Sequence, residues 1–149
     1  MLRAFVAVVL CCVAFSTAGC GRKKAWTETS GNSPMAAASG FAEALRTGNL
    51  DEAAGYWAYD TEAKAQNEDW DSIPSGQRQQ IKSKVRQDRI KSLKPLVDAV
   101  KQGKGALHAT GNGPKVAVID DNNATVLIVT VAQEGSGYKV SASETPCGR

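Results

Sequence analysis

The sequence predicts an α+β fold in which N-terminal helices pack on one face of a curved, cone-like antiparallel sheet of about four strands. Three observations carry this. Apolar residues recur at helical spacing through the first two thirds of the chain, β-branched residues dominate the last third, and every connection within that last third is short. Helices followed by a meander give segregated layers rather than an alternating parallel sheet.

Each element has its own signal. Pro34 suits a first helical turn, and Met35, Ala38, Phe41, Ala42 and Leu45 follow at i, i+3, i+4 spacing. Thr47-Gly48-Asn49 interrupts that helix. Asn49 followed by Glu52 reads as an N-cap with its reciprocal acid, opening a short helix through Tyr56 and Trp57. Residues 60–74 are polar, with Trp70 and Ile73 as the large apolar exceptions, and read as a loop folding back over the core. Residues 75–100 return to helix, with Ile81, Val85, Ile90, Leu93, Leu96, Val97 and Val100 facing inward, and Pro95 is expected to kink or restart it.

Strands are expected over 105–110, 115–119, 124–132 and 138–143, joined by Gly111-Asn112-Gly113, by 120–123 and by Gly135-Ser136-Gly137. The strand 124–132 is apolar on both faces, with Leu127, Val129 and Val131 on one and Val126 and Ile128 on the other, so it belongs in the middle of the sheet. Phe41, Leu45, Trp57, Val85, Leu93, Leu127 and Val129 are the predicted core.

The N-terminus has a different composition. After Arg3, residues 4–15 form an almost unbroken apolar run, far short of the roughly 20 residues that span a bilayer, and this reads as a signal-peptide core. Thr17-Ala18-Gly19-Cys20 then resembles the lipobox of bacterial lipoproteins, with Thr17 where most carry Leu. The resemblance implies cleavage after Gly19 and a diacylglycerol thioether on Cys20. It also implies an extracytoplasmic protein held by lipid to the cell membrane or the outer membrane. Residues 1–19 are thus the signal, 20–33 the lipidated cysteine and a short polar tether, and 34–149 the folded domain. Arg22, Lys23 and Lys24 would lie beside anionic headgroups, contributing about 1 kcal/mol each. Cys11 and Cys12 leave with the signal. Lipidation of Cys20 leaves Cys147 either unpaired or bridging two chains.

Removing Arg3 with the signal takes the formal charge from +3 to +2, too weak to suggest a nucleic-acid partner. The distribution is more informative. Residues 41–72 hold eight acids and two bases, whereas 75–104 hold nine bases against Asp88 and Asp98. The basic stretch reads as a solvated helix face or as a surface for anionic lipid or glycan.

Two segments, "GFAEALRTGNLDEAAGYW" and "ATVLIVTVAQEGSGYKVSAS", are similar to the opening helices and the last two strands of nuclear-transport-factor-2-like domains. They resemble in particular the small bacterial lipoproteins carrying such a domain, with Tyr138 where a Trp is customary. The resemblance covers roughly residues 34–143 and implies a cone whose mouth can hold a ligand. In isomerase and cyclase members an apolar mouth holds an acid base and oxyanion donors.

Tyr56, Trp57, Tyr59 and Trp70 are candidates to line that mouth, and Arg86 and Arg89 lie on a basic helix, residues 78–94, expected beside it or facing the membrane. His108, the single histidine, can face either the cone or water. The sequence has no metal-ligand spacing. Gly103-Lys104-Gly105 leads into a strand rather than a helix, so it forms no dinucleotide loop and no cofactor is expected. The reading is a noncatalytic, membrane-tethered module for a small apolar ligand or an envelope protein. The alternative is an isomerase- or dehydratase-type enzyme in which His108 and a carboxylate converge in one apolar cavity.

Overall fold

The computed structural model describes residues 26–146, so the expected signal segment, Cys20 and Cys147 lie outside the described residues. Helices α1 (Pro34–Arg46), α2 (Leu50–Gly55), α3 (Tyr59–Gln66) and α4 (Ser75–Lys101) precede strands β1 (His108–Thr110), β2 (Lys115–Ile119), β3 (Thr125–Glu134) and β4 (Gly137–Glu144). The strands form one antiparallel sheet in sequence order, which makes β3 an interior strand as its two-sided apolar pattern requires. Register shifts at Ile119 and Val131 mark irregularities of the kind that increase sheet curl.

Helix α1 lies across the sheet and touches all four strands. Ser33 caps it, its hydroxyl accepting from the Ala36 N–H at 3.1 Å, and Pro34 occupies the first turn. Small residues let α1 approach closely: Ala37, Ala38, Phe41, Ala42 and Leu45 are fully buried beside Val116, Val118, Leu127, Val129 and Val140. Gly40 is required where the Tyr56 ring crosses, since a Cβ there would lie 2.3 Å from the Tyr56 hydroxyl. Asn49 caps α2 as expected. Its Oδ1 accepts from the Glu52 N–H at 3.3 Å while its Nδ2 donates to the Glu52 carboxylate at 2.7 Å.

Five expectations are corrected. Residues 60–74 are not a loop, because α3 and a 3-10 turn over Trp70–Ser72 fill most of the segment. Helix α3 has almost no apolar stripe, so periodicity could not reveal it; its acids and Trp70 find partners instead. Helix α4 continues through Pro95, which is exposed, so the Lys91 carbonyl that loses its N–H partner can be hydrated. The first strand is shorter than 105–110, since Gly105 has φ +76° and the Ala106 N–H donates to Asp121 rather than to a strand. Ile81 is exposed and Val85 only half-buried, because both line a pocket between α3 and α4 that opens to solvent.

The fifth concerns the tether. Residues 26–33 are packed against the domain as a strap. Thr29 N–H donates to Gly55 O at 2.9 Å, and Gly31 exchanges backbone hydrogen bonds with Tyr138 at 3.0 and 2.9 Å. The strap thereby covers part of the outer edge of β4, which the turn at 56–58 covers next through Val140. Gly31 passes so near α1 that a Cβ would lie 2.3 Å from the Ala37 nitrogen. Residues 26–33 thus belong to the folded unit, which does not begin at Pro34.

Candidate functional site

Lys82, Arg86 and Arg89 are spaced by four and three residues, which places them along one side of α4. That side meets the acids of α2, α3 and the strap. Lys82 Nζ lies 2.7 Å from Asp60 Oδ2 and 3.0 Å from Glu28 Oε1. Glu28 also pairs with Lys139 on β4, and Lys139 lies 2.9 Å from Glu134 Oε2. Glu134 Oε1 accepts from the Thr61 N–H at 2.7 Å and its hydroxyl at 3.1 Å, which ties β3 to the start of α3. Asp60 also accepts from Trp70 Nε1 at 2.9 Å. Further along α4, Arg86 pairs with Asp51 and lies 5.1 Å from the Trp26 ring, whereas Arg89 Nη2 donates to both Glu62 oxygens at 2.7 and 2.8 Å and stacks 4.0 Å over Trp57.

The basic stretch is therefore not simply a solvated face. Lys82 and Lys139 are each only 7% exposed. Burial would lower the pKa of a lysine, but hydrogen bonds and charges from Asp60 and Glu28 outweigh it at Lys82, and those from Glu28 and Glu134 outweigh it at Lys139, so both are raised. Burial likewise works against ionised Glu28 and Asp60. Hydrogen bonds from Lys139 and Lys82 to Glu28, and from Lys82 and Trp70 to Asp60, win there too and hold both carboxyls below their ordinary values. All four groups are charged across the neutral range.

Two cavities flank this seam. A small pocket of about 120 Å³ lies between α3 and the start of α4, walled by Tyr59, Trp70, Ile81, Val85 and the stem of Lys82. A larger open groove of about 520 Å³ lies between α3, α4 and the end of β4. Its walls include Trp57, Ala65, Leu93 and Leu96, and hydroxyls of Thr61, Ser92, Ser141 and Ser143 rim it. The charged groups within it are committed to one another, since Glu62 accepts from Arg89 and, at 2.8 Å, from Trp57 Nε1.

Of the expected site residues, Trp57 and Arg89 come together in this groove, and Trp70 lines the smaller pocket. Arg86 is turned toward the strap. Tyr56 is half-buried against α1 at Gly40. Of the two orientations open to His108, the structure has the one facing water: it sits exposed on β1 at the opposite edge of the sheet, its Nε2 3.1 Å from Asp121 Oδ1. Asp121 is held below its ordinary value by the Ala106 N–H and then by His108, so this pair is an exposed turn contact. Asp120 acts as the turn residue of the 120–123 tip, its Oδ1 accepting from the Asn122 and Ala124 N–H groups.

Sequence reasoning missed Glu28, Asp60, Lys82, Glu134 and Lys139, which come from four separate parts of the chain. Carboxylate oxygens of Glu28, Asp60 and Glu134 lie within 4.8 Å of one another, close enough to share a cation. The Lys82 and Lys139 ammonium groups stand against those same oxygens, so the cluster carries its own counter-charges. No protein-family model, no curated protein and no solved structure matches this chain.

Proposed function

We propose that the chain is a lipid-anchored, extracytoplasmic lipoprotein whose nuclear-transport-factor-2-like domain is a noncatalytic binding module, receiving a small apolar ligand or an apolar partner segment in the α3–α4–β4 groove. The observation that carries the binding part is the state of the groove's polar groups. Glu62 and Arg89 pair with each other, so the groove presents apolar side chains from Trp57, Ala65, Leu93 and Leu96 beside an equal polar share that includes Thr61, Ser92, Ser141 and Ser143, apolar wall to seat a ligand and polar groups to orient it. General acid–base catalysis needs a base and a donor within reach of one substrate atom, and His108 stands across the sheet from this groove. The Thr17-Ala18-Gly19-Cys20 sequence supports the anchor.

Titration with an uncharged apolar fluorescent probe, N-phenyl-1-naphthylamine, tests the groove: saturable binding should weaken in Leu96→Gln, and binding unchanged by that substitution would place the ligand elsewhere. Intact-mass analysis of membrane-extracted protein tests the anchor, and Cys20→Ala should leave the membrane fraction. Turnover of any small substrate abolished by His108→Ala would overturn the noncatalytic reading.

A further inference from the structure

The strap that leads back to Cys20 does not leave the domain at an arbitrary place. Trp26 is seated on α4, its Nε1 donating to Ser83 Oγ at 3.2 Å, its ring edge-on to Tyr59 at 5.5 Å and the Arg86 guanidinium over it. Five residues lie between Cys20 and Trp26, six Cα-to-Cα steps with a reach of at most about 22 Å. Helix α4 has 27 residues and is about 40 Å long, so it is longer than that leash. A domain held this closely cannot tumble freely above its anchor, and the side of α4 carrying Ser83 stays near the lipid.

That side is basic. At about 100° per residue, Lys84, Lys91, Lys94 and Lys101 all lie within about 100° of Ser83 around the helix, with Asp98 as the acid among them. All four lysines are exposed. Lys91 pairs with Asp88 at 3.1 Å, and Lys84, Lys94 and Lys101 make no ion pair among the described residues. Of the groove-lining residues of α4, Arg89, Ser92 and Leu96 lie about 120 to 180° from Ser83 and Leu93 about 80°, turned away from Lys84 and Lys91. Helix α4 thus separates a cationic strip beside the leash from the apolar groove.

We infer that the Lys84–Lys91–Lys94 strip of α4 lies against the anionic headgroups of the membrane that holds Cys20, with the groove turned away from the bilayer. The inference rests on the lipid-anchored reading and adds the docking face and its partner. Arg22, Lys23 and Lys24 on the leash add to the same attraction. The strip also gives the exposed cations of α4 a role that the seam does not supply, because the seam uses Lys82, Arg86 and Arg89, which lie about 60 to 120° round the helix from Ser83 in the opposite sense to Lys84 and Lys91.

The test uses the full lipidated protein with Cys147→Ser, floated with vesicles of phosphatidylglycerol and phosphatidylcholine that carry a headgroup quencher. A fluorophore is placed at Gln87→Cys on the strip or at Asn112→Cys in the β1–β2 turn. The label at 87 should be quenched and the label at 112 spared. The difference should be lost in Lys84→Glu/Lys94→Glu, in phosphatidylcholine alone, and between 0.1 M and 1 M salt, where the screening length shrinks from about 10 Å to about 3 Å. Protein that floats with the vesicles but shows equal quenching at 87 and 112, or a preference indifferent to lipid charge, overturns this docking and leaves the anchor standing. Protein that does not float overturns both.

Discussion

The contact of α1 with the sheet and the contact of α4 with α3 and the strap hold helices by opposite means. At α1, alanines and Phe41 bury an apolar stripe against valines, and nearly every side chain involved is fully covered. At α4, Lys82, Arg86 and Arg89 meet Asp60, Glu28, Asp51 and Glu62, with Trp26 and Trp57 stacked on the two guanidinium groups. The first contact is nondirectional and indifferent to pH. The second depends on partners in fixed geometry, because an ammonium out of water is tolerated only with its counter-charges in place. The groove opens beside the second, so its shape is set by ion pairs rather than by close-packed methyl groups.

The largest effect should come from the apolar side. Phe41→Ala is expected to cost about 3 to 5 kcal/mol through lost transfer energy and a cavity, read as a shift in denaturant midpoint that is the same at neutral and acid pH. A loss that varied with pH would erase the contrast between the two contacts.

Lys82→Ala should cost about 3 kcal/mol, since it leaves Asp60 and part of Glu28 without their cation. In a double-mutant cycle with Asp60→Ala the two losses should fall short of additive. Strict additivity would mean that the pair contributes nothing as a pair.

Glu28→Gln is expected to cost about 2 kcal/mol, the scale of a hydrogen bond to a charged group. A strap that were merely a flexible tether would show no change in the same melt.

The pH dependence follows from the same groups. Glu28 and Asp60 have depressed pKa values when folded, so the stability they contribute is present above the ordinary carboxylate values, about 4, and is lost as pH falls through the folded ones. Lys82 and Lys139 have raised values, so their contribution is present below about 10.4 and lost as pH rises through the folded ones. Thermal melts should show a plateau between these limits, and Lys82→Ala should flatten the acid flank. An acid flank unchanged in that variant would assign acid sensitivity to other carboxylates. The smallest effect belongs to Lys91→Ala, under about 0.5 kcal/mol, because its pair with Asp88 is solvated.

How much of this was legible in the sequence tracks the same division. Helix α1, the Asn49 cap, the four strands and the interior place of β3 were readable because each depends on spacing within a dozen residues. Trp57 and Arg89 were singled out separately, but nothing in the sequence said that they stack. Helix α3 has the polar pattern of a loop, since its partners are Arg89, Lys82 and Glu134 rather than an apolar stripe of its own. The strap was read as a tether because Glu28 is separated from Lys139 by 111 positions.

Alone, the sequence determined the α+β class, the apolar face of α1, the meander and the division of charge between residues 41–72 and 75–104. These follow from local periodicity, turn chemistry and composition. Only the tertiary structure decided that the divided charges face each other, that residues 26–33 belong to the fold, that His108 stands apart from the groove, and which side of α4 Trp26 is seated on. Those outcomes depend on contacts between residues distant in the chain, and a side chain's type does not specify which partner the topology will bring within 3 Å of it.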